Sequence, residues 1–431
     1  MEDSLNSGAV MFSKDGKYIY VRDSRNSNAG KLVKYNLETA ATEVVIEDPN
    51  YDVSDVMVHP DTYEIQMVSF VKARVENVIF DESIREDIEV ISKLNPGDYI
   101  IYDRDNADKT WLVGFTNDNT PVAFYAYDRE KKEGTFLFFS KPDLANYQLA
   151  KMEPISFVSR DGLTIHGYLT MPVGQENQAV PMVLNVHGGP WHRDSWGYNP
   201  EAQWLANRGY ACLQINFRGS TGYGKNFLNA GDREWSQKMH DDLIDGVNYI
   251  TSLGYADPKR VAIYGVSYGG YAALVGATFT PDFFCCAIDV VGPSNLITMI
   301  DNIPPYWKIF LDNLKKRVGD PETEKEFLES CSPLFKVENI KIPIMIVQGA
   351  NDPRVNMQES EQIVKAMRDK NIYHEYLLFH DEGHGISKPY NREVLYKQAE
   401  KFLAKYLGGF VEDDSLEILN QSSKVSNSIF D

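Results

Sequence analysis

The first third of the chain alternates apolar and polar residues with a period of two, the signature of short β-strands. In SKDGKYIYVRDS, Ile19 and Val21 alternate with Tyr18, Tyr20 and Arg22 behind an Asp15-Gly16 turn signal, as in a hairpin. KLVKYNLETAATEVVIED, DYIIYDRDNADKTWLVGF and PVAFYAYDREKKEGTFLFF continue the style, recurring about every 45 residues like the blades of a β-propeller. About three blades fit, fewer than closed propellers have, so residues 1–143 read as a partial β-propeller. Residues 144–153 read as a linker.

From Pro154 the rhythm changes. PISFVSRDGLTIHGYLTMP predicts a hairpin around Asp161-Gly162, and after it strand and helix patterns take turns. PMVLNVHGG predicts a strand entering a Gly-rich loop, Pro200–Asn207 a short helix capped by Asn199, and ACLQINF a strand. Asp241–Ser252 places Leu243, Ile244, Val247 and Ile250 on one helical face. Further strands are CCAIDVV, PIMIVQG and YHEYLLF; Asn356 with Glu359 resembles a capping box for a helix to about Arg368. A last helix follows Asn391 with Leu395, Ala399, Phe402 and Tyr406 in one stripe. Such alternation predicts an α/β domain over 154–410, a mostly parallel doubly wound sheet covered on both faces, and residues 411–431 read as an acidic polar tail.

Composition narrows the partners. With 43 basic against 62 acidic residues the formal charge is −19, which argues against nucleic acid and anionic membranes. Cys212, Cys285, Cys286 and Cys331 show no C-x-x-C spacing, and free thiols in a reducing compartment are the simplest account. The start, MEDSLNSGAV, lacks the apolar core of a secretory signal, so a cytoplasmic location is expected. The uncharged stretch Val261–Pro281 mimics a membrane span, but its four glycines and its strand-turn-helix pattern make it buried core.

That same stretch carries the chemistry. Gly265-Val266-Ser267-Tyr268-Gly269 fits the G-x-S-x-G nucleophile elbow, with a strand before it at VAIY and a helical pattern after it at Tyr271, Ala272, Leu274 and Val275. A serine hydroxyl needs a base, and the base an orienting carboxylate. Asp352 follows the strand PIMIVQG and His384 follows YHEYLLF, in the order serine, acid, histidine and on loops at strand ends. His187, His380 and His59 are rival bases, and Asp381 a rival acid that better suits shaping its own loop. Oxyanion donors are expected from the amide of Tyr268 and from His187-Gly188-Gly189-Pro190, with Gly189 the better candidate. DRDNADK loosely matches a calcium loop, but Ala107 stands at a ligand position and a hairpin turn fits better.

HGGPW, FRGSTGYG, GVSYGGY, NDPRV and DEGHG, in this order, resemble the prolyl oligopeptidase family of serine peptidases, closest in style to its acylaminoacyl-peptidase branch. The likeness is strong over about Pro154–Gly409 and weaker before it. It implies Ser267 as nucleophile, His384 as general base and then acid, and Asp352 as the orienting carboxylate. It further implies that Arg354 binds a substrate backbone carbonyl and that Val355, Trp191 and Trp307 line a side-chain pocket; a solvated charge and plain core are the alternatives. The family uses no metal or organic cofactor, and the sequence holds no H-E-x-x-H, P-loop or G-x-G-x-x-G. Short peptides are the substrates implied. A carboxylesterase of the same fold and a catalytically idle assembly module are the other readings. The family's full propeller covers the active site; with three blades, either the chain is a fragment, or an upstream propeller segment is supplied separately, or the size filter is lost, and propeller-edge or sheet-edge pairing could each build a homo-oligomer.

Overall fold

The computed structural model describes residue 5, residues 7–412 and the backbone of 425–430. It divides into two compact units, one of Met1–Pro154 with Ser195–Gln203 and Ser220–Leu228, the other of the remaining residues.

The first unit is built from three antiparallel sheets, the partial propeller. One runs β1 (Gly8–Phe12), β2 (Tyr18–Asp23), β3 (Lys31–Asn36), β4 (Thr42–Ile46); the next β5 (Val53–Val58), β6 (Ile65–Val71), β7 (Val75–Ile79). The third holds β8 (Asp98–Arg104), β9 (Thr110–Thr116), β10 (Ala123–Asp128) and β11 (Glu133–Phe139). Consecutive sheets share cores: Tyr20 and Leu32 pack with Val53, Val68 and Phe70, while Met67 joins Trp111, Val113, Phe115 and Tyr127. Between the second and third sheets lies a helix, α1 (Arg85–Leu94), where only strands were expected. Its cause is legible afterwards, since Ile84, Ile88 and Ile91 stand at helical spacing and all three are buried against β9 and β10.

The third sheet is apolar on both faces. Opposite Trp111 and Val113, Tyr102, Phe124 and Phe138 form a ring ladder with centroids 5.3 and 5.0 Å apart. Gly114 makes room for it, because a Cβ there would stand 2.3 Å from the Tyr102 ring. Tyr102 and Phe138 are each 52% exposed.

Two excursions of the chain join this unit although the sequence placed them in the α/β domain. The Asp52 carboxylate accepts from the amides of Gly30 and Gly224, and Lys225 Nζ donates to the Ser24 carbonyl. Arg74 lies over the Trp196 ring at 3.8 Å, and the Gln203 amide group bonds both backbone groups of Ala150.

The second unit is one nine-stranded sheet. In chain order its strands are β12 (Met152–Val158), β13 (Thr164–Thr170), β14 (Val180–Val186), β15 (Ala211–Asn216), β16 (Ala256–Val266), β17 (Cys286–Val290), β18 (Ile344–Gly349), β19 (His374–Phe379) and β20 (Val425–Phe430). In space the order is β12-β13-β15-β14-β16-β17-β18-β19-β20. β15 through β19 run parallel, whereas β13 and β20 pair antiparallel at either side. β20 lies in the stretch expected to be a tail, and residues 413–424 of that stretch lie outside the described residues.

The helices include α2 (Pro200–Asn207), α3 (Gly224–Asn229), α4 (Lys238–Ser252), α5 (Tyr268–Phe279), α6 (Leu296–Asp301), α7 (Leu311–Arg317), α8 (Lys325–Ser330), α9 (Gln358–Asp369) and α10 (Pro389–Leu407). Asn199 caps α2 as expected, its Oδ1 accepting from Ala202 N at 2.9 Å. The box expected at Asn356 and Glu359 does not close. Glu359 turns inward instead and accepts from the amides of Ser294 and Asn295, because those buried donors need a partner more than an exposed helix start does. No described helix is long and apolar enough to cross a membrane.

The sheet order reverses at β14. The chain steps from β14 outward to β15, then returns to β14's other side with β16, so the carboxyl ends of β14 and β16 flank a switch point. Open α/β sheets place their ligand crevice at such a point.

Candidate active site

Ser267 follows β16 directly and begins α5, with φ 61° and ψ −119°. A non-glycine residue held there stores backbone strain of about 1–3 kcal/mol that the surrounding packing must sustain. The glycines around it are required by space. A Cβ on Gly265 would stand 2.3 Å from the Gly269 carbonyl, and one on Gly269 would stand 2.0 Å from the Val186 carbonyl oxygen. Gly269→Ala is therefore expected to destabilise by more than the roughly 1–3 kcal/mol usual for overpacking, since backbone and not a side-chain tip blocks the methyl. Urea titration checks this; a change under about 0.5 kcal/mol, the range of neutral surface changes, would show the contact to be soft.

The sheet brings the three distant candidates together. The loop after β18 carries Asp352 and the loop after β19 carries His384, on parallel strands in register from Ile344–His374 to Gly349–Phe379. His384 Nδ1 lies 2.7 Å from Asp352 Oδ2, and His384 Nε2 lies 2.9 Å from Ser267 Oγ. A carboxylate only accepts, so Nδ1 carries the proton and Nε2 is left to accept from the serine hydroxyl. Asp352 Oδ1 accepts from the amides of Arg354 and Val355 at 2.8 and 3.0 Å, which fixes the carboxylate's rotation, and the Asp352 side chain is fully buried.

On the other side of the elbow, the loop after β14 approaches Ser267. A Cβ on Gly188 would stand 3.0 Å from the Val266 carbonyl and 3.3 Å from Ser267 Cβ, a tight fit that would push its neighbours by a few tenths of an ångström. Gly189 follows with φ 122°. The loop is held from behind by aromatic rings: His187 stacks on Phe217 at 4.5 Å, Phe217 meets Tyr268 at 5.2 Å, and Trp235 stands edge-on to Tyr268 at 4.6 Å. Tyr268 is the first residue of α5, a helix without a side-chain cap on its amino end.

Residues 196–410 match the model of the prolyl oligopeptidase family. Dipeptidyl aminopeptidase BIII of Pseudoxanthomonas mexicana is 45% identical, covering 98% of this chain and 63% of its own length. The chain belongs to the prolyl oligopeptidase family. Dipeptidyl peptidase family member 6 of Caenorhabditis elegans is 38% identical over 95% of the chain and 59% of that protein. Among solved structures, a Mycobacterium tuberculosis puromycin-hydrolyzing peptidase shares the fold with a TM-score of 0.79 at 21% identity, over 94% of this chain and 63% of that one. Acylaminoacyl peptidase of Pyrococcus horikoshii gives 0.75 at 22% identity, over 96% and 65%. The chain thus spans somewhat under two thirds of the length of these relatives.

The remaining family candidates fall into place unevenly. Arg354 is exposed, two residues beyond Asp352, and its guanidinium lies 5.6 Å from the centre of the Trp307 ring. Val355 is buried and Trp191 half-buried. The rivals have other partners. His59 Nδ1 accepts from the turn amides of Asp61 and Thr62, His187 Nδ1 donates to the Gly188 carbonyl, and Asp381 accepts from Lys388 Nζ and Asn391 Nδ2. His380 is the first residue past β19, beyond the strand and not within it, and its carbonyl accepts from Asn351 Nδ2.

Several supporting residues escaped the sequence. Arg218, from FRGSTGYG, is buried between Asp161 of the β12–β13 turn and Asp242 of α4, bonding each through two side-chain contacts. Behind the elbow, Asp289 Oδ1 accepts from Gly292 N at 2.8 Å and burial pushes its carboxyl well above the ordinary range. Among the described residues no cluster of three or more His, Cys, Asp or Glu side chains could hold a metal.

Two buried histidines give the unit a pH limit. Burial lowers the pKa of both His187 and His240 to about 4 from an ordinary 6.5. The unfolded chain then binds protons that the folded chain refuses, so stability is full above pH 6.5 and falls as pH drops towards 4. Each ring is expected to remove up to about 3 kcal/mol across that window. Urea midpoints at pH 7 and pH 4.5 check this, and His240→Leu should shrink the difference.

Proposed function

We propose that the chain supplies the catalytic machinery of a serine peptidase acting on short peptides. The carrying observation is the hydrogen-bonded series Asp352–His384–Ser267, 2.7 and 2.9 Å, on a strained elbow at the sheet's switch point. Ser267 Oγ attacks the scissile carbonyl while His384 Nε2 takes its proton; the imidazolium is stabilised by Asp352 and returns the proton to the leaving amine. Water then repeats the cycle on the acyl-enzyme. The amides of Tyr268 and Gly189 are the proposed oxyanion donors. Loss of one such donor costs roughly 2.7–4 kcal/mol of transition-state stabilisation.

The names of two relatives, a dipeptidyl aminopeptidase and a dipeptidyl peptidase, favour release of dipeptides from the amino end. Arg354 and the Trp307 ring beside it are the proposed seat for the substrate backbone, with Val355 and Trp191 beside the side-chain pocket. Four free thiols fit a reducing, cytoplasmic setting, and the charge of −19 fits peptides better than nucleic acid. Pairing with a further propeller segment fits relatives longer than this chain.

A peptide library read by mass spectrometry tests the proposal, with dipeptides accumulating from free amino ends as the expected result. Acylated amino acids as products would favour the acylaminoacyl alternative. Cleavage of nitrophenyl esters without any peptide cleavage would make the chain an esterase, and no turnover of either by a folded domain would favour an assembly module. Arg354→Ala should raise KM on a dipeptidyl anilide by about tenfold or more, the worth of a lost charged hydrogen bond, while ester turnover changes little.

A further inference from the structure

We propose that Glu382 is a positioning residue for His384, an inference that rests on the catalytic reading above. Gly383 and Gly385 flank the histidine, and glycine on both sides leaves the local backbone permissive where the chemistry needs it fixed. The constraint comes from a buried carboxylate. Glu382 is 2% exposed although it lies in the loop between β19 and α10. Its Oε1 accepts from Lys388 N at 3.0 Å and Asn391 Nδ2 at 2.7 Å; its Oε2 accepts from Ser387 N at 3.2 Å and Ser387 Oγ at 3.1 Å.

All four donors come after His384 in the chain. The side chain therefore ties the start of the 382–388 stretch to its end, with the imidazole carried in the middle. Burial alone raises the carboxyl's pKa, but the donors from Asn391, Lys388 and Ser387 outweigh it and hold Glu382 below the ordinary range.

The same residue reaches the acid's loop through its backbone. The Glu382 carbonyl accepts from Asn351 N at 2.9 Å, Asn351 Nδ2 donates to the His380 carbonyl at 2.9 Å, and Ala350 N donates to the Phe379 carbonyl at 2.9 Å. These bonds dock the two loops together without using the bonds among Ser267, His384 and Asp352. A misplacement of about 1 Å costs roughly 10²-fold in rate, so a residue that sets the imidazole's position acts on kcat while touching no substrate.

Glu382→Gln keeps one acceptor oxygen and turns an amide NH₂ towards one pair of donors. The expected result is a kcat about tenfold or more below wild type on a peptide anilide, KM within about twofold, and a shifted or broadened low-field proton resonance of the His384 ring N–H. Asn391→Ala, which removes one donor and leaves the carboxylate, should move both readouts the same way by less, and decides the matter if Glu382→Gln does not fold. Unchanged kcat with an unchanged resonance in the folded variant overturns the proposal. So does a lower kcat with an unchanged resonance, because the loss then arises away from the imidazole. If the wild-type chain turns over no peptide, the catalytic reading fails separately, and the resonance alone judges the role of Glu382.

Discussion

Ser267→Ala is expected to lower kcat on a peptide anilide by about 10⁴- to 10⁶-fold, the loss seen when a serine nucleophile is removed and only binding and oxyanion donors remain. Stability should barely change, because the hydroxyl's partner is His384 Nε2 and the backbone amide keeps its bond to the Val290 carbonyl. Reaction with a fluorophosphonate should vanish in the same variant. Equal labelling of wild type and variant would place the reactive serine elsewhere and undo the assignment.

Asp352→Asn is expected to cost about 10⁴-fold in kcat, and for a reason that the hydrogen bonds specify. Oδ1 must go on accepting from the amides of Arg354 and Val355, so the new NH₂ group has to face His384. Nδ1 must then accept and the ring proton moves to Nε2, where it faces Ser267 Oγ and blocks transfer of the serine proton. The side chain is nearly isosteric, so the thermal midpoint should shift little. Activity within tenfold of wild type would mean that the tautomer is set by something other than this carboxylate.

What could be read from the chain beforehand was whatever leaves a local trace. The elbow glycines, the strands before Asp352 and His384, and the Asn199 cap are neighbours in sequence of what they act on, and each stands where the pattern put it. Long-range partners left no such trace. Arg218 draws together residues 161 and 242, and nothing in FRGSTGYG announces either one. Glu382 and Glu359 look like ordinary charged loop and helix-start residues until their buried donors are seen. The helix α1 was missed for a different reason. The Ile84, Ile88, Ile91 stripe is short and sits between two runs of strands.

The ring ladder across Tyr102, Phe124 and Phe138 bears on how this polypeptide behaves in a test tube. Interior-like surface that meets water attracts its own kind, and only mutual repulsion between molecules carrying −19 charges opposes that attraction. Added electrolyte shortens the reach of that repulsion to about 3 Å at 1 M, so turbidity at high ionic strength, relieved by Phe138→Lys, is the colloidal consequence of a sheet whose wet face is apolar.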